Sequence, residues 1–213
     1  MTDGGKFSGR PIGGDTLHTR ARILDAAETV FAEHGYHESV VDDIARLSDT
    51  SKGTIYFHFA NKQSLFAALS DHLLARLLNE VEERITREPD PVERVRAAVA
   101  TTLRIFARHR RVARILLVDV GGVGRAVDDR LLTIHARIAA SIRAQLAALP
   151  PDVVGADLDP DLTAYVWLGA INEVVVRWLY TGTPDPLDQA IPALTDLLLR
   201  SIGLPAAAGA AAR

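Results

Sequence analysis

The chain has 213 residues, 48% of them hydrophobic and 24% charged, with a formal net charge of −3. That is enough chain for one large or two small domains with a real core, and the acidic balance excludes a global basic field of the kind that advertises nucleic acid. Cysteine is absent, which excludes disulfides, thiolate metal sites and thiol nucleophiles.

Residues 1–16, MTDGGKFSGRPIGGDT, hold five glycines and no period, and are expected to form a flexible arm. They lack the apolar segment of a secretory leader. No run of about eighteen apolar residues occurs later, so a cytoplasmic protein with no membrane partner is expected. From Thr19 to His34, Ile23, Leu24, Ala27, Val30 and Phe31 fall on one helical stripe, which Gly35 is placed to end. A second helix is expected from Ser39. Ser39 and Asp42 have capping-box spacing, with Asp in place of Glu or Gln, and Val40, Val41, Ile44 and Ala45 supply the buried face. Ser48, Asp49 and Thr50 break the period. A very short third helix follows, from Thr50 or Ser51 to about Phe57. A long fourth one, from Lys62 to about Glu88, turns Leu65, Phe66, Leu69, Leu73, Leu77 and Val81 inward.

Beyond EPDP (88–91), helices are expected near 91–109, 111–119, 124–149, 159–180 and 186–203. The breaks fall at GGVG (121–124), LPPDVVGADLDP (149–160) and TGTPDP (181–186). Pro192 should bend the last helix or delay its start. The low-complexity tail, 205–213, is expected to fray. No stretch alternates like a strand for long, so the expected fold class is all-α.

The segment DTSKGTIYFHFANK (49–62) concentrates small hydroxyls, two lysines, a glycine and three aromatic rings in a chain with only 6% aromatics. Helix, short turn, short helix is the helix-turn-helix unit, whose second helix meets base edges in the major groove with its N-terminal residues. The composition suits that task. Ser51 and Thr54 are small donors at a helix start, and the unpaired N–H groups of the first turn attract phosphate. Gly53 removes a side chain where the helix would collide with DNA. Tyr56 and His58 can donate to phosphates, Lys62 can pair with one from the next helix, and Ile55 and Phe59 point inward. The DNA-facing set is therefore Ser39, Thr50, Ser51, Lys52, Gly53, Thr54, Tyr56, His58 and Lys62. Residues 1–65 hold seven Lys or Arg against nine Asp or Glu, so binding must rest on local placement of Lys52, Lys62, Arg46, Lys6, Arg10 and Arg20.

Positions 20–69, RARILDAAETVFAEHGYHESVVDDIARLSDTSKGTIYFHFANKQSLFAAL, resemble the DNA-binding domain of the tetracycline-repressor (TetR) family. The likeness covers ILDAA…F…HGY, VDDIA, SKGTIYFHF and the lysine at 62 in the right order. The turn departs from it: the family usually has a small apolar residue, Gly and Val where this chain has Ser48, Asp49 and Thr50. Aspartate tolerates a left-handed conformation, so the turn survives at Asp49. The resemblance implies an arm (1–16), a helix-turn-helix domain (17–64), a ligand-binding and dimerisation domain (65–204) and a tail (205–213).

One short reading helix covers few base pairs, so a homodimer on a palindromic operator in double-stranded DNA is expected. LTAYVWLGAINEVVVRWLY is apolar all round, as a helix buried on every side would be. With the last helix it offers Val175, Trp178, Ile191, Leu194 and Leu198 as a dimer seam. The resemblance also implies a small-molecule effector held by the middle helices. Phe106, Leu117, Ile138 and Trp167 are candidate walls, with His135 and Asn172 as polar groups, and their apolar character favours a hydrophobic ligand.

No enzyme signature emerges. GGVG lacks the spacing and following Lys of a phosphate loop, and His34 and His37 do not share a helical face. No Gly-x-Ser-x-Gly elbow occurs either. No metal and no cofactor are expected. The reading is a ligand-responsive transcriptional regulator, a repressor released by its effector. The rival reading is a helical small-molecule carrier or partner-binding protein without operator binding.

Overall fold

The computed structural model describes residues 12–119, 125–150 and 158–204. Among them every regular element is helical, and the chain divides into two compact units, Met1–Leu69 and Ser70–Arg213. The first eleven residues of the expected arm, the GGVG break and the tail lie outside the described residues.

The first unit opens with α1 (Ile12–Glu38), which starts within the expected arm. Once a helix is nucleated each further residue adds a hydrogen bond, so a strong apolar stripe can extend a helix back through weak formers such as Gly13 and Gly14. Gly35 interrupts α1 as expected. Its φ of 72° and ψ of 171° belong to a region open essentially to glycine alone. α2 (Val41–Leu47) and α3 (Lys52–His58) follow, and the first turns of α4 (Lys62–Thr86) close the unit. Its core is Ile23, Leu24, Phe31, Ile44, Ile55, Leu65 and Phe66, with Phe66 edge-on to Phe31 at 5.2 Å. Each such side chain contributes about 1.5–3 kcal/mol on burial.

The start of α2 differs from the sequence expectation. The residue preceding the helix is Val40, which makes no side-chain cap and is exposed. Ser39 is buried instead, and its hydroxyl donates to the carbonyls of Val30 and Gly35. The carbonyls freed by the Gly35 break take the hydroxyl that a capping box would have used.

The second unit contains the rest of α4, then α5 (Pro91–Arg108), α6 (Arg110–Arg114), a π-helical turn (Ile115–Asp119), α7 (Arg125–Ala147), α8 (Pro160–Thr181), a 3-10 turn (Leu187–Ala190) and α9 (Ile191–Ser201). Two of these helices start alike. Asp90 accepts from the N–H groups of Val92 and Glu93, Asp159 accepts from those of Asp161 and Leu162, and a proline follows each. Gly182, at φ 70°, ends α8. Pro192 acts by delay: the segment from Leu187 makes a 3-10 turn first, and α9 begins at Ile191 with the proline in its first turn. Arg96 ties α5 to α9 through Asp196 at 3.1 Å.

Candidate DNA-reading helix and ligand cavity

The turn between α2 and α3 is held from α1. The Arg22 guanidinium donates to the carbonyls of Ser48 and Asp49, and Asp49 adopts the left-handed conformation at φ 50°. The Ser48 hydroxyl donates to Ile44 O at 2.7 Å and lies 2.8 Å from Thr50 Oγ1. Thr50 therefore completes a small polar lock at the position where the resembled family usually has valine. Arg22 is a positioning residue that sequence reasoning missed; a lone arginine on a helix carries no signal of its distant partner.

α3 starts at Lys52 because Ser51 caps it, its Oγ accepting from Thr54 N at 3.0 Å. Ser51 and Thr54 share a further hydroxyl contact at 2.8 Å. Ile55 and Phe59 are buried, and the Arg20 guanidinium stands 5.2 Å over the Phe59 ring. This pins one side of α3 and leaves Lys52, Gly53, Tyr56 and Phe57 facing solvent. Phe57, 80% exposed, is the most open of these large apolar groups. A Cβ on Gly53 would meet only Ser51 Oγ at 3.6 Å, so nothing in the protein itself demands glycine there. Lys52 lies 3.0 Å from Asp42 Oδ2, and this carboxylate holds its pKa above the ordinary lysine value.

Two members of the expected DNA-facing set are placed otherwise. Ser39 is buried and engaged with backbone, as described above, so its side chain has no face toward a duplex. The Lys62 ammonium donates to His37 O at 3.0 Å and Ser39 O at 2.7 Å and sits 4.7 Å over the Tyr36 ring. Burial pushes its pKa down from the usual lysine value. Its first task is to close the α1–α2 junction, because a long side chain at the head of α4 reaches the carbonyls that the Gly35 break leaves unpaired. Thr50 and His58 are half-buried.

The second unit contains a cavity of about 110 Å³ with mainly apolar walls. Phe106, Leu117, His135, Ile138, Trp167 and Asn172 all line it. Trp167 is fixed by its indole N–H, which donates to Ser201 Oγ at 3.0 Å. α4 adds Leu74, Leu77, Leu78, Val81 and Ile85 to the wall, a stripe that the sequence marked only as inward-facing. Leu116 and Leu117 come from the π-helical turn, a distortion frequent at functional sites.

Family models match both units. Residues 23–69 match the model described as bacterial regulatory proteins, tetR family, and residues 88–202 match the tetracyclin repressor-like C-terminal domain. The chain belongs to the tetR family of bacterial regulators. It is thus a DNA-binding, ligand-responsive transcriptional regulator. Among its relatives is the fatty acid metabolism regulator protein of Bacillus subtilis, 24% identical over 85% of this chain and 94% of that protein. The transcriptional regulator TtgR of Pseudomonas putida is 29% identical over 82% and 85%. The crystal structure of FadR from Bacillus subtilis in complex with stearoyl-CoA superimposes with a TM-score of 0.78, at 23% identity, covering 85% of this chain and 98% of that one.

For this family member the expected dimer seam needs correction. Val175, Trp178, Leu194 and Leu198 are buried within their own unit, and Ile191 is half-buried. Trp178 packs under the Arg110 guanidinium at 4.6 Å, while Arg110 donates to Leu179 O at the end of α8. A helix apolar all round gives no sequence signal for which side turns inward. The outward side of α8 is a different set, Leu162, Tyr165, Val166 and Gly169, at i, i+3, i+4 and i+7. Leu197 is the matching exposed residue of α9. Among the described residues no helix is long and apolar enough to cross a membrane.

Proposed function

We propose that this regulator is a repressor. It binds an inverted-repeat operator as a homodimer and leaves it when a ligand with a long apolar portion enters the cavity. The role is binding throughout and requires no catalysis, and it is exercised in the cytoplasm, where the duplex is.

The observation that carries the ligand reading is the cavity: a mainly apolar hollow whose walls come from α4, α5, α7, α8 and the π-helical turn. At about 110 Å³ it is smaller than the roughly 300 Å³ of a typical small-molecule site, so a ligand must part its walls. α4 is one of those walls, and its first turns belong to the unit that carries α3. A ligand favouring a displaced α4 thereby biases the reading helices, which is what a differential affinity for two states requires. The stearoyl-CoA bound to the FadR neighbour and the fatty-acid role of the B. subtilis relative agree with an aliphatic occupant.

The dimer reading rests on the outward face of α8, where Leu162, Tyr165 and Val166 are more than half exposed around a glycine whose Cβ would meet nothing. An apolar stripe of this kind on a regulator fits a second copy of itself.

The test begins with selection of duplexes from a random library by the purified protein. An inverted repeat bound by two chains, released on adding a long-chain acyl compound, is the expected result. Selection of no sequence, or an operator complex indifferent to acyl compounds of every length, would overturn the reading.

A further inference from the structure

The cavity does not stand alone in the second unit. Leu77, Phe106 and Leu116 form a wall common to it and to a second hollow, whose other members include Arg76, Glu80 and His109. That hollow in turn shares Glu80 and Ile105 with a groove on α4 and α5 where Arg84, Arg87, Arg104 and Arg108 converge. The three hollows run in series from an apolar interior to a cationic surface.

The groove is built by spacing. Residues 80, 83 and 84 on α4, and 101, 104, 105 and 108 on α5, follow i, i+3, i+4 and i+7 spacing and so present one face of each helix, and Arg87 joins them from the turn just past the end of α4. Four guanidiniums oppose two carboxylates, Glu80 and Glu83, leaving two positive charges in excess. Arg84 and Arg87 have no ion-pair partner among the described residues. The pairs of Arg104 with Asp188 and of Arg108 with Glu80 are long, both 3.8 Å, and exposed, so they yield readily to a stronger anion. Guanidinium forks match phosphate oxygens two at a time. The apolar cavity can hold a tail but offers no arginine or lysine for a charged head.

We propose that the effector is an acyl thioester of a phosphorylated nucleotide carrier, its tail in the cavity and its phosphates in the Arg84–Arg87–Arg104–Arg108 groove, the chain passing the wall of Leu77, Phe106 and Leu116. This rests on the cavity being the ligand site. It adds that the head group, rather than the tail alone, sets affinity, and that free fatty acids are poor effectors.

The experiment is calorimetric titration of the full chain, without DNA, with palmitoyl-CoA below its micelle concentration, with palmitate and with unacylated CoA. The parent is compared with an Arg84→Ser, Arg87→Ser double variant and with an Arg137→Ser control on the exposed surface of α7. The parent should bind palmitoyl-CoA at least tenfold more tightly than palmitate. The double variant should lose that preference with palmitate affinity unchanged, and the control should keep it. A parent without preference, a double variant that retains it, or an equal loss in the control would overturn the groove assignment and leave the cavity standing. If the parent binds neither acyl compound, the cavity reading falls and this one with it. Thermal melts of the variants, all at exposed arginines, establish that the fold is intact.

Discussion

The Lys52 ammonium is 3.0 Å from Asp42 Oδ2, so the first cation of the reading helix is already paired inside its own head. Asp42 is exposed beside it and would face any phosphate that Lys52 approaches. Replacement Asp42→Asn removes a repelling charge and releases the lysine. The variant is expected to bind a selected operator several-fold more tightly. Its log affinity should fall more steeply with log salt, by about one unit of slope, as one more phosphate is neutralised. Fluorescence anisotropy across a salt series reads both. Unchanged affinity and slope would mean that Lys52 touches no phosphate.

Gly53 separates what the protein needs from what DNA needs. The site is helical, and an added Cβ meets only Ser51 Oγ at an ordinary 3.6 Å. Alanine there should stabilise the head by about 0.5–1 kcal/mol through lost unfolded-state freedom. The same methyl should cost operator affinity tenfold or more if α3 lies against a duplex. Calorimetric melting and anisotropy measured on one preparation of Gly53→Ala give the two answers; a variant that is more stable and binds equally well would argue against close approach at this turn.

Lys62 and Lys52 should behave as opposites. Removing Lys62 as Lys62→Met leaves the carbonyls of His37 and Ser39 without their donor and takes the cation from the Tyr36 ring. A loss of about 1–3 kcal/mol in stability is expected for a charged hydrogen-bond donor in this position. Lys52→Met, at an exposed position, should leave the melting temperature nearly unmoved while weakening operator binding. Chemical denaturation of the two variants side by side distinguishes a junction from a contact. Similar melting of Lys62→Met and parent would return Lys62 to the phosphate-binding set.

The contrast between these lysines also shows where sequence reading is strong. Helix order, the Gly35 break, the Asp49 turn and the inward pair Ile55 and Phe59 follow from period and backbone preference, which are local properties. All six candidate cavity residues line one cavity, from α5, the π-helical turn, α7 and α8, because apolar stripes on neighbouring helices face a common interior. What escaped notice depends on partners far along the chain. Arg22 holds carbonyls 26 and 27 residues away, and Ser39 and Lys62 answer to a backbone break in α1. Nor can a helix that is apolar on every side declare its inner face, which is why the sequence offers Val175 and Trp178 for a seam although both are buried within their own unit.

That last ambiguity yields a paired test. Leu198 is 1% exposed within its own unit and Val166 is 56% exposed. Leu198→Ala opens a cavity in the core, and a loss of about 2–5 kcal/mol is expected, with the mass of the folded species unchanged. Val166→Asp places a carboxylate on the outward stripe, next to Tyr165 and one turn from Gly169. A burial penalty arises there only if a second copy covers it. Light scattering behind size exclusion should give half the parental mass for Val166→Asp at micromolar concentration. Operator binding should then weaken and lose its dependence on the second half-site. If Val166→Asp keeps the parental mass, the α8 stripe is not where two chains meet. If Leu198→Ala instead dissociates while melting like the parent, the seam read from sequence would be restored.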